Sequence, residues 1–135
     1  MKTINLKTSQ RVEFVEITGE IEKIINSSGI SEGIACLFVP HTTAALTLNE
    51  NADPSVKYDI KNKLERLIPE NDNYTHGEGN SDAHLKTSIF GSSLTIIISG
   101  GSPVLGTWQG IYFCEFDGPR SRKLYVRIIK DNDSV

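Results

Sequence analysis

The chain has 135 residues, 38% of them hydrophobic and 23% charged, enough to bury a core of its own as one domain without metal or disulfide support. A formal net charge of -3 leaves no basic footprint for a phosphate backbone, which argues against RNA and DNA as partners. There is no basic leader with an apolar segment and no apolar run near the roughly 20 residues of a bilayer span, so the expectation is a soluble, cytoplasmic protein that does not enter membranes.

In chain order, Ile4 and Leu6 alternate with Asn5 and Lys7 as in a half-buried strand, and residues 11–17 are expected to pair back on it as an opening hairpin. Thr18 is placed to cap a short helix with Ile21, Ile24 and Ile25 on one face, ended by Gly29 in the left-handed conformation. The nearly continuous apolar run 34–39, closed by Pro40, predicts a central strand covered on both faces. Residues 41–50 read as a further strand that finishes in Asn49, Glu50 and Asn51. Asp53 before Pro54 starts a helix, a side-chain cap followed by a proline whose missing N–H costs nothing there. Val56, Ile60, Leu64 and Leu67 then recur at helical spacing. Ser81 is placed to cap another helix, with Leu85, Ile89 and Phe90 inward and Gly91 as its stop. Residues 94–98, 108–116 and 124–129 complete a run of antiparallel strands, with turns at Gly100-Gly101 and at 117–120. The fold class is α+β, mostly antiparallel sheets packed with two or three helices. Cys36 and Cys114 sit in apolar runs, form no CxxC pair, and read as small buried hydrophobes.

The densest polar chemistry lies in residues 74–84, Tyr-Thr-His-Gly-Glu-Gly-Asn-Ser-Asp-Ala-His, a stretch too polar and glycine-rich to make a core. His76 and His84 bracket it, and His41 ends the central strand. Three imidazoles that leave one position open to water form a known catalytic zinc arrangement, so a divalent metal is expected on His41, His76 and His84, zinc first and magnesium second. The spacing matches no zinc motif, and His76 as a plain loop residue with His41 as a hydrogen-bonded histidine near the core is the competing reading. Glu50, Glu78 and Asp82 have the chemistry of general acids or bases; Asp82 equally suits the positive end of a helix. Trp108 and Gln109 offer a flat surface and an amide to a heteroaromatic ligand, although a sole tryptophan also reads as core. Arg120 and Arg122 have the fork that grips phosphate, or are solvated charges at a turn. No P-loop, GxGxxG or GxSxG is present, which argues against nucleotide hydrolysis on a standard phosphate cradle.

Five blocks in order, His41-Thr-Thr-Ala-Ala-Leu, Asn49-Glu-Asn-Ala-Asp-Pro54, Glu78-Gly-Asn-Ser-Asp-Ala-His84, Leu105-Gly-Thr-Trp-Gln109 and Glu115-Phe-Asp-Gly-Pro-Arg120, closely resemble the YjbQ family over nearly the whole chain. The resemblance implies a compact α+β subunit that assembles as a homotrimer with sites near subunit interfaces. Its label, a secondary thiamine-phosphate synthase, implies a transferase that joins a pyrimidine-methyl diphosphate to a thiazole phosphate, so a small phosphorylated molecule is the expected ligand. Carried over by position, the family's polar signature falls on His41, Asn49, Glu50, Asp53, Glu78, Asn80, Asp82, His84, Trp108, Gln109, Glu115 and Arg120. Within it, Glu50, Asp82 and His84 are the catalytic candidates and Asn49, Asn80, Trp108, Gln109 and Arg120 the substrate-binding ones. Two rivals stand beside this: a metal-dependent hydrolase of a small substrate built on the histidines, and a non-enzymatic trimeric binding or scaffold protein.

Overall fold

A computed structural model describes residues 1–132. Eight strands and three helices follow one another as β1 (Lys2–Lys7), β2 (Glu13–Glu16), α1 (Thr18–Ser28), β3 (Gly33–Phe38), β4 (Ala44–Glu50), α2 (Pro54–Leu67), α3 (Ser81–Phe90), β5 (Ser93–Ser99), β6 (Ser102–Pro103), β7 (Gln109–Glu115) and β8 (Ser121–Lys130). They form a five-stranded sheet in the order β1-β8-β3-β5-β6 and a three-stranded sheet in the order β2-β7-β4. Every ladder is antiparallel, as the α+β reading expects.

The expected opening hairpin does not form. β1 pairs with β8, Ile4 opposite Leu124, while β2 pairs with β7 in the other sheet, Phe14 opposite Cys114. Because side chains alternate along a strand, β1 places Ile4 and Leu6 against the core between the sheets. That core holds the inward residues of both sheets, Ala35, Leu37, Leu46, Ile96, Ile98, Phe113 and Val126, together with Ile21 and Ile25 of α1. Gly29 does end α1, at φ 70°, with its N–H donating to Asn26 O. Thr18 does not cap the helix: its hydroxyl accepts from Ile111 N at 2.9 Å and donates to Glu16 at 2.8 Å, tying the helix start to β7.

A second, smaller cluster lies on the other side of the three-stranded sheet, where Phe14, Ala45, Tyr112, Cys114 and Phe116 meet Leu64, Ala83 and Phe90 of α2 and α3. Burial pushes the Cys114 thiol well above its usual range, in keeping with an inert packing role. Asp53 caps α2 as expected, accepting from Ser55 N at 2.9 Å. Yet α2 buries no residue fully, and Leu67 is exposed. In α3 the expected inner face holds only at Phe90, which packs on the second cluster; Leu85 and Ile89 are exposed, and Asp82, Ala83, Lys86 and Thr87 are buried instead. The reason is a set of ion pairs. Lys86 Nζ lies 2.8 Å from Glu65 and 2.9 Å from Asp82, whose carboxylate also takes two bonds from Arg11 at 2.8 and 3.1 Å.

The central strand is covered on one face only, not both. Ala35 and Leu37 are fully buried, whereas Phe38 on the opposite face is half exposed, and Ile97 and Ile129, which pair with Ile34 on either side, are similarly open. The outer face of the five-stranded sheet thus carries a central apolar patch of Ile34, Phe38, Ile97 and Ile129, flanked by polar residues such as Asn5, Lys123, Thr95 and Arg127, and among the described residues no layer lies over it.

Candidate functional site

All three histidines open onto one pocket of about 730 Å³ at the end of β3, where the 39–43 link, the loop before α3 and the β7–β8 turn converge. His41, His76, Glu78, Asn80, His84 and Arg120 line it. The His76 and His84 rings stand edge to face at 5.4 Å, and His76 Nε2 is 3.7 Å from Glu78. His41 Nε2 accepts from Lys123 N at 2.9 Å, so that nitrogen is engaged and the ring is fixed. Burial, helped by the nearby Arg122 charge, holds His41 below the ordinary imidazole value.

Two hydrogen-bonded networks support the pocket. In the first, Arg122 is paired with Glu115, both buried, through its Nε at 2.8 Å and a second, shorter contact from its terminal nitrogen. Arg122 also donates to Thr43 Oγ1 at 2.8 Å, and Thr8 Oγ1 donates to Glu115 at 2.7 Å. Burial alone would push the Glu115 carboxyl up; the bonds from Arg122, Thr8 and Asp117 N outweigh it and hold it below the usual carboxylate range. In the second, Asn80 Nδ2 and Arg120 both donate to Asp117 Oδ2 at 2.9 Å, and Arg120 Nε donates to Asp117 O at 2.6 Å. The turn bearing Asp117 presses close to its neighbours: a Cβ on Gly118 would lie 2.3 Å from Gln10 O and 2.7 Å from Glu115 Cγ, so only glycine fits there. Arg120 is thereby aimed while its side chain stays 52% exposed.

The start of α3 adds to this. Asn80 occupies the cap position, but its side chain is engaged with Asp117 and makes no capping bond, and Ser81, expected to cap, does not do so either. The first turn of α3 therefore meets the pocket edge without a side-chain cap, at the end of the helix that favours anions.

The other candidates lie elsewhere. Asp82 is buried, and both of its oxygens are engaged by Arg11 and Lys86, so it anchors α3 and does not line the pocket. Ala44 faces Glu115 and Glu50 faces Gln109 in the β4–β7 ladder, so Asn49, Glu50 and Gln109 sit roughly 20 Å along the strands from the His41 end. Trp108 stands beside them and, at 61% exposure, is not a core residue. The sequence alone missed Asp117, Thr43 and Lys123 as pocket supports. Asp117 was visible only as a turn charge, and nothing local marks a backbone N–H such as that of Lys123.

Among the described residues, no three His, Cys, Asp or Glu side chains converge to hold an ion, and His41 Nε2 already serves as an acceptor. The three histidines share a pocket without forming a ligand set.

The chain matches the family model described as UPF0047 protein YjbQ-like over residues 2–131. It is 61% identical to the UPF0047 protein of Methanocaldococcus jannaschii, over 93% of this chain and 91% of that one. It is 47% identical to UPF0047 protein YugU of Bacillus subtilis, over 96% and 98%. A crystal structure of an uncharacterised conserved yjbq/upf0047 family protein of Clostridium acetobutylicum superposes with a TM-score of 0.94 at 53% identity, covering 96% of this chain and 100% of that one. A YbjQ-like protein of unknown function from Sulfolobus solfataricus gives 0.92 at 34% identity, with 96% of each chain covered. No helix among the described residues is long and apolar enough to cross a membrane.

Proposed function

This chain belongs to the UPF0047 YjbQ-like family, and we propose that its histidine pocket binds a small phosphorylated molecule and moves a proton on it. The observation that carries this reading is the shared pocket itself: an arginine half exposed and aimed by Asp117, beside two imidazoles in contact and an uncapped helix start. Arg120 Nε and one terminal nitrogen are held by Asp117, which leaves further N–H donors for a phosphate oxygen. His84 and His76 are the acid–base groups, with the Glu78 carboxylate 3.7 Å from His76 Nε2. Asn80 acts through Asp117 as a positioning residue.

Thiamine-phosphate synthesis is one reaction such a pocket would serve, since loss of pyrophosphate from a pyrimidine-methyl diphosphate needs cationic help where negative charge collects. For that reaction Trp108 would have to reach the histidines from a neighbouring subunit, since it stands at the far end of the β4–β7 ladder in one chain, and Glu50 takes no part in that site. The exposed apolar patch of Phe38, Ile97 and Ile129 on the five-stranded sheet supports assembly into the homotrimer that this requires. Pyrophosphate titrated calorimetrically into the protein is expected to bind, and Arg120→Ala to weaken it about tenfold or more, the worth of a charge-assisted bond. Undiminished affinity in Arg120→Ala would remove the arginine from the phosphate site.

A further inference from the structure

Helix α2 lies over the outer side of the three-stranded sheet, yet Val56, Ile60 and Leu64, its apolar stripe, are only partly covered. The gap beneath is a second pocket, of about 210 Å³, walled by Phe14, Ile60, Phe90 and Tyr112 and edged by Glu50 and Lys57. It shares no lining residue with the histidine pocket. Its walls are braced. Phe14 stacks on Phe90 with centroids 6.2 Å apart, Phe90 meets Phe116 edge-on at 5.2 Å, and the nearly buried Tyr112 donates its hydroxyl to Glu50 O at 3.1 Å. These contacts hold the rings as walls of a pocket that opens to solvent along its polar edge. A cavity of about 150 Å³ already accepts a benzene ring, so this one accommodates a single ring with a short polar arm.

The edge of the pocket says what that arm carries. Glu50 and Lys57 both border it, and among the described residues neither forms an ion pair with the other or with anything else. Lys57 Nζ lies instead 5.5 Å from the centre of the Tyr112 ring. A neutral hydrocarbon would use the walls alone, and a simple anion or cation would use one charge and leave the other facing it. A molecule with an ammonium, a carboxylate and one apolar ring uses all three features. We propose that this pocket is a binding site for a small aromatic zwitterion, a free amino acid of the phenylalanine type, with its ring among Phe14, Phe90 and Tyr112, its ammonium at Glu50 and its carboxylate at Lys57.

The test compares three probes titrated into the full chain and followed by backbone amide NMR: L-phenylalanine, phenethylamine, which lacks the carboxylate, and 3-phenylpropionate, which lacks the ammonium. L-Phenylalanine is expected to give saturable shifts at Thr47, Ile60, Phe90 and Tyr112, and each one-charge analogue to bind about tenfold more weakly, as for loss of one charged hydrogen bond. Glu50→Gln should weaken L-phenylalanine and leave 3-phenylpropionate unchanged; Lys57→Met should weaken L-phenylalanine and leave phenethylamine unchanged. Ile60→Trp, which fills the space from α2, should abolish all three titrations with the amide spectrum otherwise folded. The proposal is overturned if L-phenylalanine gives no saturable shift at millimolar concentration, if all three probes bind alike, or if the shifts fall on the histidine pocket.

Discussion

Arg122→Met is expected to cost about 3–5 kcal/mol of folding stability, because it leaves Glu115 charged, fully buried and without its cation. Thr8 Oγ1 and Asp117 N still donate to the carboxylate, but neither carries charge. Urea denaturation followed by circular dichroism would read the loss. Adding Glu115→Gln should recover part of it, since no buried charge then lacks a counterpart. The pH dependence follows from the depressed Glu115 value. Its stabilising contribution is present in full above the unfolded carboxyl value of about 4.3 and is lost as pH falls through the lower folded value. In Arg122→Met that acid-side slope should shrink, because the carboxyl is no longer held down. The same substitution reaches the pocket: the Arg122 charge helps to depress His41, so His41 should titrate at higher pH in the variant.

Lys86→Met is the second large effect, about 3 kcal/mol. Lys86 is fully buried in α3 and bridges Asp82, also fully buried, to Glu65 on α2. Its removal leaves Asp82 with Arg11 alone and unties α2 from α3. Glu65→Gln gives the contrast. Its side chain is 39% exposed and water replaces the lost partner, so the cost should stay below about 1 kcal/mol. Equal losses for the two substitutions, measured by the same denaturation, would mean that the buried Asp82–Lys86 pair is not what holds α3. Because His84 lies on α3 and Asp82 anchors its first turn, Lys86→Met should also loosen the His76–His84 contact.

What the sequence made legible was local. Gly29 stops α1 and Asp53-Pro54 starts α2 through bonds to residues at most three positions away, and such signals need no knowledge of the fold. Strand partners were not legible. β1 and β2 are separated by a short link that looks like a hairpin turn, yet each pairs with a strand near the far end of the chain. The inner face of α3 was legible at Phe90 but not at Leu85 and Ile89, for a related reason. Asp82 and Lys86, four apart, look like a solvated surface pair, and only Arg11 and Glu65, brought in by other elements, make their burial tolerable. The site was legible in part. The histidines, Asn80 and Arg120 do line one pocket, whereas Glu50 borders a different one and Asp82 has turned structural. Residue type marked them all alike; distance along the β4–β7 ladder separates them.

Whether the histidine pocket takes a phosphorylated ligand is read most directly from the imidazole ¹⁵N spectrum of the protein titrated with pyrophosphate. The prediction is saturable movement of the His76 and His84 ring nitrogens, with a smaller response at His41 Nε2, which Lys123 N already occupies. Unmoved resonances for His76 and His84 at concentrations where calorimetry shows pyrophosphate bound would place the anion elsewhere on the molecule and contradict the proposed site.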